Sequence, residues 1–389
     1  MPGRYTPQVQ EAITRLGSRL PFKEAQEELE MMWGIEISTA GVRDITLRNG
    51  RVANELVEAE VARLQAEAPE ASAPAEQLVM CADGALVQVR NGEWREVKTV
   101  AFGEFEAQWD AKKKQVLTKT NQISYFSRVD KADTFAEMAL YEWHQRGGDK
   151  AKQVVAVNDG ALWIQAFIDY HCPQAIRVID FAHAQAYLAT IGKALYGAET
   201  EAFQQWYGRI SKQLGQKPPH RTLNELRFLQ ASHQDHPDIA EIEQAVLYLE
   251  RRQEMIDYAH FRNQGVPIGS GIVESGHKVV MQRRMKQAGM RWAEDNLNPM
   301  LALRMAVCNR RWKPTWQNIQ RRWLLTKRQR RLTSIGSPQP QPETQTITEA
   351  DVQRMSSLAS RLEAASAKRR PWPNNRWIFP HRPPLSHKN

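Results

Sequence analysis

Apolar positions recur at helical spacing through the first fifty residues, and the spacing predicts three short helices. The first covers residues 7–16. The second opens at Pro21, a residue suited to a first helical position, puts Phe22, Ala25, Leu29 and Met32 on one face, and stops at Gly34. The third follows Ser38 as its N-cap, with Val42 and Ile45 inward and Thr39, Arg43 and Thr46 outward. Helix, short Gly-containing turn and helix with a polar outer face, over residues 21–49, is the pattern of a helix-turn-helix. The same spacing also describes a small helical cap on a neighbouring domain. A further helix is expected over residues 51–66, followed by an Ala/Pro/Glu-rich linker over 67–76.

Beyond the linker the period shortens. Strands are expected at residues 78–82, 86–90, 97–102 and 122–126, then a helix from about residue 134. In that helix Thr134 and Glu137 have capping-box spacing, Ala136, Leu140 and Trp143 form one stripe, and Gly147-Gly148 ends it. Residues 154–157 and 176–179 are short apolar runs separated by a helical stretch, as buried parallel strands are. Antiparallel strands followed by alternating helix and parallel strand is the element order of a ribonuclease H-like α/β domain. Residues 184–262 carry no strand pattern and read as an all-helical insertion, with one helix over 237–258. Another helix begins at Glu274 and a further one spans 297–311.

The expected organisation is therefore a helix-turn-helix region over 1–56, a helix and linker over 57–76, and the first part of a core over 77–183. The insertion over 184–262 and the last part of the core, with basic helices, over 263–333 follow. A Ser/Pro/Gln-rich basic tail over 334–389 is expected to be mostly disordered, apart from a helix over 349–364.

Charge narrows the partners. Lys and Arg number 53 against 44 Asp and Glu, a formal net charge of +9 with a pI near 9.4, which suits nucleic acid or an acidic membrane surface. Between Lys278 and Arg331 the basic residues are opposed only by Glu294 and Asp295. Trp292, Trp312, Trp316 and Trp323 are interleaved with that charge, with rings able to stack on bases or sugars. So one-sided a run favours a polyanion over a merely solvated face. Cys81, Cys172 and Cys308 are isolated, which argues for a reducing, intracellular setting and against a disulfide scaffold or cysteine-rich zinc site. The N-terminus lacks the apolar stretch of a signal peptide, and the apolar run 301–307 is broken by Arg304, so no bilayer span is expected. The expectation is a soluble, cytoplasmic protein.

The candidate chemistry lies in three acids. Asp159 ends the run Val154-Val155-Ala156-Val157-Asn158 and precedes Gly160 and an apolar helix. The strand over 78–82 delivers a second acid-Gly pair, Asp83-Gly84. Glu274 sits far downstream in Gly269-Ser270-Gly271-Ile272-Val273-Glu274-Ser275, before a basic helix. Two aspartates at strand ends and a remote glutamate on a helix supply the hard oxygen ligands that two divalent cations need. Two plainer readings stand beside this one. An Asp-Gly pair between strands is also a hairpin turn, and an Asp before a helix is also an N-cap. His260 and His277 flank Glu274 without partners at metal-ligand spacing and are expected to be solvated or to face DNA. His233, Asp235 and His236 read as loop residues, and Gly269-Ser270-Gly271 is not a phosphate loop.

Several motifs together resemble the ISKra group of bacterial insertion-sequence transposases. They are Asp83-Gly84-Ala85, Trp94-Arg95-Glu96-Val97-Lys98, Asn158-Asp159-Gly160-Ala161-Leu162-Trp163-Ile164 and Ile179-Asp180-Phe181-Ala182-His183-Ala184. Ile272-Val273-Glu274-Ser275-Gly276-His277-Lys278, Arg284-Met285-Lys286 and Gly289-Met290-Arg291-Trp292 continue the series, which runs from about Tyr5 to Trp316 with an echo at Arg370-Pro371-Trp372.

The resemblance implies a DDE transposase with Asp83, Asp159 and Glu274 as catalytic, metal-holding triad and two Mg²⁺ or Mn²⁺ ions per site. It also implies a ribonuclease H-like core interrupted by a helical insertion, and an N-terminal helix-turn-helix. Asp180 and His183 match the Asp/Cys-x-x-His signature of related Mutator-like transposases and are expected as accessory residues; Asp180 is equally readable as a helix cap.

The implied partners are double-stranded DNA, both terminal inverted repeats and target, and further copies of the chain assembled on that DNA in a bacterial nucleoid. Thr39 and Arg43 on the recognition helix, and Arg283, Arg284, Lys286 and Arg291 after the third acid, are the expected DNA-contacting residues. Relatives often carry additional N-terminal sequence with cysteines able to bind zinc, whereas this chain starts almost at its first helix. That departure implies incomplete recognition of the repeats or a truncated copy. The competing readings are a transposase-derived DNA-binding protein with a silent core, and a carboxylate-pair hydrolase, which would leave the basic helices without a role.

Overall fold

The computed structural model describes residues 5–70, 75–111 and 115–334, with side chains at all of these except 115 and 330–334. The helix expected over 349–364 and the rest of the tail lie outside the described residues.

The N-terminal helices are α1 (Pro7–Gly17), α2 (Phe22–Trp33) and α3 (Thr39–Glu67). Thr6 and Ser38 cap α1 and α3 by accepting the N–H groups of Val9 and Gly41, and Gly34, at φ +60°, ends α2 in the left-handed conformation that glycine adopts without strain. Ile13, Ala25, Leu29, Val42 and Ile45 form the buried centre of this bundle.

Three expectations fail here. Met32 is 61% exposed, beside the equally exposed Met31 and Trp33: spacing assigns a face to a residue, but burial requires another element opposite. Thr46, expected outward, is fully buried against Gly17, where any side chain would collide with its hydroxyl. Finally, the two helices expected over 39–49 and 51–66 are one. Gly50, which ordinarily weakens a helix interior by about 1 kcal/mol, is retained because the carbonyl of Pro299 packs where its Cβ would stand.

Five strands follow: β1 (Gln77–Gln88), β2 (Trp94–Asp110), β3 (Gln115–Arg128), β4 (Gln153–Asn158) and β5 (Ile176–Ile179). They form one sheet in the order β3-β2-β1-β4-β5, antiparallel across β1, β2 and β3 and parallel across β1, β4 and β5. The strands expected at 78–82 and 86–90 are a single strand. The Asp83-Gly84 pair is therefore not a hairpin turn; it pairs within the ladder with Thr99 and Lys98, and the missing Gly84 side chain makes room for the Glu96 carboxylate.

Alternation along the strands separates two cores. Leu78, Met80, Ala82, Val100, Phe102 and Ala156 face α4 (Ala132–Gln145) and α5 (Leu162–His171), where Phe135, Trp143, Ile164 and Phe167 complete a fully buried layer. The capping box expected at Thr134 is not formed; α4 starts two residues earlier, after Lys131. Val79, Cys81, Val97, Ala101, Val155, Val157 and Val178 point to the other face.

That second face is covered by two groups of helices. Residues 181–263 contain α6 (Phe181–Tyr196), α7 (Glu201–Gln216), α8 (Pro219–Ser232), α9 (Ile239–Glu250) and α10 (Tyr258–Asn263) and no strand. The expected helix over 237–258 is broken after Glu250 by a 3₁₀ turn, Gln253–Ile256. The second group runs through α11 (Gly271–Gly276), a π-helical stretch (His277–Gln282) and α12 (Arg283–Met285), followed by α13 (Leu297–Cys308) and α14 (Trp312–Ser334). The π geometry has a local cause: the Arg304 guanidinium of α13 reaches into the helix and donates to the carbonyls of Val279 and Val280.

Among the described residues no helix is long and apolar enough to cross a membrane.

Candidate functional site

β1 and β4 pair in parallel from Gln77↔Gln153 to Met80↔Ala156. Continuing that register by three residues sets Asp83 level with Asp159. Where the ladder ends, the Asn158 side chain takes over, accepting the N–H of Ala82 at 2.5 Å. The period of two puts both acids on one face, Asp83 following Val79 and Cys81, and Asp159 following Val155 and Val157. Each carboxylate is held by a backbone amide close by. Asp83 Oδ1 accepts the N–H of Gly84 at 2.7 Å, and Asp159 Oδ1 accepts that of Ala161 at 2.9 Å. The second of these is the Asx turn that leads from β4 into α5, with Gly160 at φ +76° as its pivot.

Glu274 lies in the first turn of α11 and is exposed. Its neighbours Val273 and Gly276 are buried. Gly276 lets the helix lie directly on the sheet, since a Cβ there would come within 2.8 Å of the Tyr125 ring, with Thr99, the partner of Asp83, beneath. Three residues after Glu274, hence on the same side of the helix, the His277 ring brings Nδ1 to 3.7 Å from Asp83 Oδ2.

His277 was expected to be solvated or to face DNA; only 6% of it is exposed. Burial pushes its pKa below the ordinary histidine value, against a smaller opposing effect from a hydrogen bond to the Asp83 backbone. Its Nε2 is buried with no hydrogen-bond partner among the described residues. The structure thus brings His277 against Asp83, sets Glu274 one helical turn from His277, and leaves Asp159 just past the end of the neighbouring strand β4. Among the described residues, no three His, Cys, Asp or Glu side chains are gathered closely enough to hold a metal ion.

Asp180 and His183 take other parts. Asp180, 8% exposed, caps α6 by accepting the His183 N–H at 2.8 Å, and its second oxygen accepts the N–H and the hydroxyl of Ser270. It therefore ties the end of β5 to the loop that delivers Glu274, a tie that Phe181 N–H to Ile268 O repeats in the backbone. The His183 ring stands edge-on to Tyr187 and Tyr248.

Residues of the helical segment 181–263 that brace the Asp159 loop and the end of β5 carry no signal of that role in the sequence. Tyr248 donates to the Asp159 carbonyl at 2.5 Å, Arg252 to the Gly160 carbonyl at 3.2 Å, and Tyr258 to that of Ile179 at 2.9 Å. Nothing but helical periodicity is visible around them, and periodicity cannot say what lies opposite.

The chain belongs to the uncharacterised protein family UPF0236. The family profile matches residues 7–317, from α1 into α14, and so spans Asp83, Asp159, Asp180, Glu274 and His277. Among curated proteins nothing matches.

In this UPF0236 protein the basic C-terminal run divides into an inner and an outer set. Arg284 was expected at a DNA-facing surface and is instead 1% exposed. Its Nε donates to the Gly17 carbonyl at 2.9 Å, and its guanidinium lies over the rings of Phe22 and Trp292 at 4.5 and 5.1 Å. Desolvation there, reinforced by Arg304, pushes its pKa down to about 10. Arg304 is likewise buried and spans Val280 and Ser18.

The expected stacking tryptophans are also structural. Trp292, Trp312 and Trp316 are buried, and Trp312 and Trp323 donate to Glu11 and Asn49 of the N-terminal helices. The outer set keeps Arg283, Lys286 and Arg291 exposed, with the Lys286 ammonium 5.9 Å from the Trp94 ring. Thr39 is exposed at the start of α3, and Arg43, half-buried, pairs with Asp44 at 2.8 Å.

Proposed function

We propose that this UPF0236 protein is a DDE transposase of the ISKra type, cleaving DNA at the ends of an insertion sequence and joining those ends to target DNA. The observation that supports the reading is the parallel pairing of β1 with β4, whose register carried on by three residues would bring Asp83 level with Asp159, together with the Glu274 helix reaching Asp83 through His277. The strand order β3-β2-β1-β4-β5, with its first three strands antiparallel, supports a ribonuclease H-like core, and residues 184–262 then form an insertion within it. α2, the turn at Gly34 and the start of α3 are the proposed helix-turn-helix.

The donor set fits a hard divalent cation in its chemistry, because carboxylate oxygens are what Mg²⁺ or Mn²⁺ accepts. The three carboxylates are not gathered as a finished metal cage among the described residues. Asp83, Asp159 and Glu274 would hold the ions. When bound, two such ions supply a more acidic water or 3′-hydroxyl and stabilise charge on the scissile phosphate and leaving oxygen.

The protein's own share is positional. The Gly84 and Ala161 amides orient the two aspartates, His277 lies against Asp83, and Asp180 sets the entry to α11. Exposed Arg283, Lys286 and Arg291 would engage phosphates flanking the reacting one.

Incubating the purified full-length chain with Mg²⁺ or Mn²⁺ and duplexes carrying the element's terminal repeats tests the reading. Strand breaks at the repeat ends that EDTA abolishes are expected. Tight, repeat-specific binding without any cleavage would replace it with a silent, transposase-derived DNA-binding protein, and failure to bind DNA would overturn both.

A further inference from the structure

We propose that Tyr248 and Arg252 are positioning residues for Asp159, so that the helical segment 181–263 is a working part of the site and not an appended module. The inference rests on the reading of Asp159 as a site carboxylate.

Asp159 and Gly160 lie just past the end of β4, where the sheet ladder no longer holds the backbone. Two groups from one edge of the helical segment hold it there. Tyr248 Oη donates to the Asp159 carbonyl at 2.5 Å, and Arg252 Nη2 donates to the Gly160 carbonyl at 3.2 Å. Gly160, at φ +76°, is what allows the approach: a Cβ would stand 2.7 Å from Arg252 Nε and 2.8 Å from Tyr248 Oη. The same backbone turn places the Ala161 N–H on the Asp159 carboxylate. Fixing the two carbonyls therefore fixes the amide that orients the carboxylate.

The clamp is itself braced. The Arg252 guanidinium lies 3.8 Å over the Tyr248 ring and also donates to the Tyr248 carbonyl. On Tyr248, Tyr187 of α6 stacks at 3.9 Å with an interplanar angle of 13°, and His183 closes the group edge-on. Asp180, which caps that same helix, also holds the loop into α11, so the braces of Asp159 and of Glu274 share one helix.

Plain packing does not call for this arrangement. Arg252 is 6% exposed, and burying a guanidinium is costly where an apolar side chain of similar size is not. Desolvation depresses its pKa, with the aromatic hydroxyls and the Asp159 charge acting in the opposite direction. A buried cation at this place does what leucine cannot. It satisfies the Gly160 carbonyl beyond the end of the ladder.

The test compares Tyr248→Phe and Arg252→Lys with wild type in the full-length chain. Tyr248→Phe keeps the ring stack and removes only the hydroxyl. Hydrogen–deuterium exchange over residues 159–164 is expected to quicken by up to about tenfold, the effect of losing one hydrogen bond, while exchange in β1 and α3 stays unchanged. Mn²⁺ binding, measured by calorimetry, should weaken about tenfold or more, as when an outer support of a metal ligand is removed. Cleavage should fall in kcat with DNA affinity preserved.

Unchanged exchange and Mn²⁺ affinity in Tyr248→Phe would overturn the proposal, whatever happens to Arg252→Lys. Quickening spread over the whole chain would also overturn it, because the residues would then be merely structural. A wild-type chain that neither binds Mn²⁺ nor cleaves would sink the transposase reading, and the exchange data would still decide the clamp.

Discussion

The Asp180 carboxylate receives both the backbone N–H and the hydroxyl of Ser270, at 2.6 and 2.9 Å. Ninety positions apart in sequence, the two residues join the end of β5 to the loop that starts the Glu274 helix. Since Asp180 also caps α6, replacing it with alanine should cost about 2–3 kcal/mol, an N-cap plus a further hydrogen bond. Ser270→Ala removes one hydroxyl contact and should cost about 1 kcal/mol. In urea unfolding the two variants should rank in that order. Under the proposed function cleavage should fall in both while DNA affinity stays level, because the Glu274 helix is misplaced and the exposed cations Arg283, Lys286 and Arg291 are not. Equal stability of Asp180→Ala and wild type would show that the tie contributes nothing.

Asp159→Asn keeps the shape of the side chain and its ability to accept the Ala161 N–H, and loses the charge. Folding and DNA binding should be nearly intact. Mg²⁺-dependent strand cleavage should fall at least about 100-fold, beyond what loss of an outer-shell support alone removes. Asp83→Asn and Glu274→Gln should behave alike. Cleavage at wild-type rates by any of the three would remove that residue from the triad.

Arg283 and Arg284 are adjacent in sequence and opposite in situation, and their alanine variants should separate cleanly. Arg283 is exposed, so Arg283→Ala should leave the melting temperature unchanged and flatten the slope of log K against log salt by about one. Arg284 packs beneath Phe22 and Trp292 and bonds the Gly17 carbonyl. Arg284→Ala should destabilise the chain by about 2–4 kcal/mol, as large-to-small core changes do, with the salt slope unaltered. The reverse assignment of slope and stability would show that the two arginines exchange roles on DNA.

Thr39 and Arg43 test the proposed recognition helix without unfolding it. Deleting the first fifty residues would not be a clean test, because Glu11, Gly17, Ser18 and Asn49 are all bonded to the C-terminal helices. Thr39→Ala with Arg43→Ala should instead lower the preference for terminal repeats over random DNA, by about 1–3 kcal/mol per lost base contact. Competition binding against both DNAs measures this. An unchanged preference would make the segment a helical cap only.

How much of this was legible beforehand can be judged element by element. The start of α3 at Ser38, the stop of α2 at Gly34 and the two central parallel strands were readable because caps, glycine and apolar runs act over a few residues. The strand-ending position of Asp159 was readable for the same reason. The mid-strand position of Asp83 was not: Asp-Gly is a turn by local preference, and only the pairing with Thr99 and Lys98 overrides it. The unbroken α3 was hidden likewise, since local propensity at Gly50 cannot include the Pro299 carbonyl that packs against it.

The sequence by itself determined what is short-range: periodicities, caps, the basic excess after Lys278, and the position of Asp159 at a strand-to-helix junction. The match to the UPF0236 family profile over residues 7–317 is likewise a property of the sequence alone. Only the tertiary structure decided which cations face solvent and which lie in the core, that His277 rests against Asp83, and that Tyr248 and Arg252 hold the Asp159 turn. Charge and periodicity are properties of single residues and their near neighbours. Burial and bracing depend on which distant segment comes to lie opposite, and that choice is made by the whole chain as its cores close.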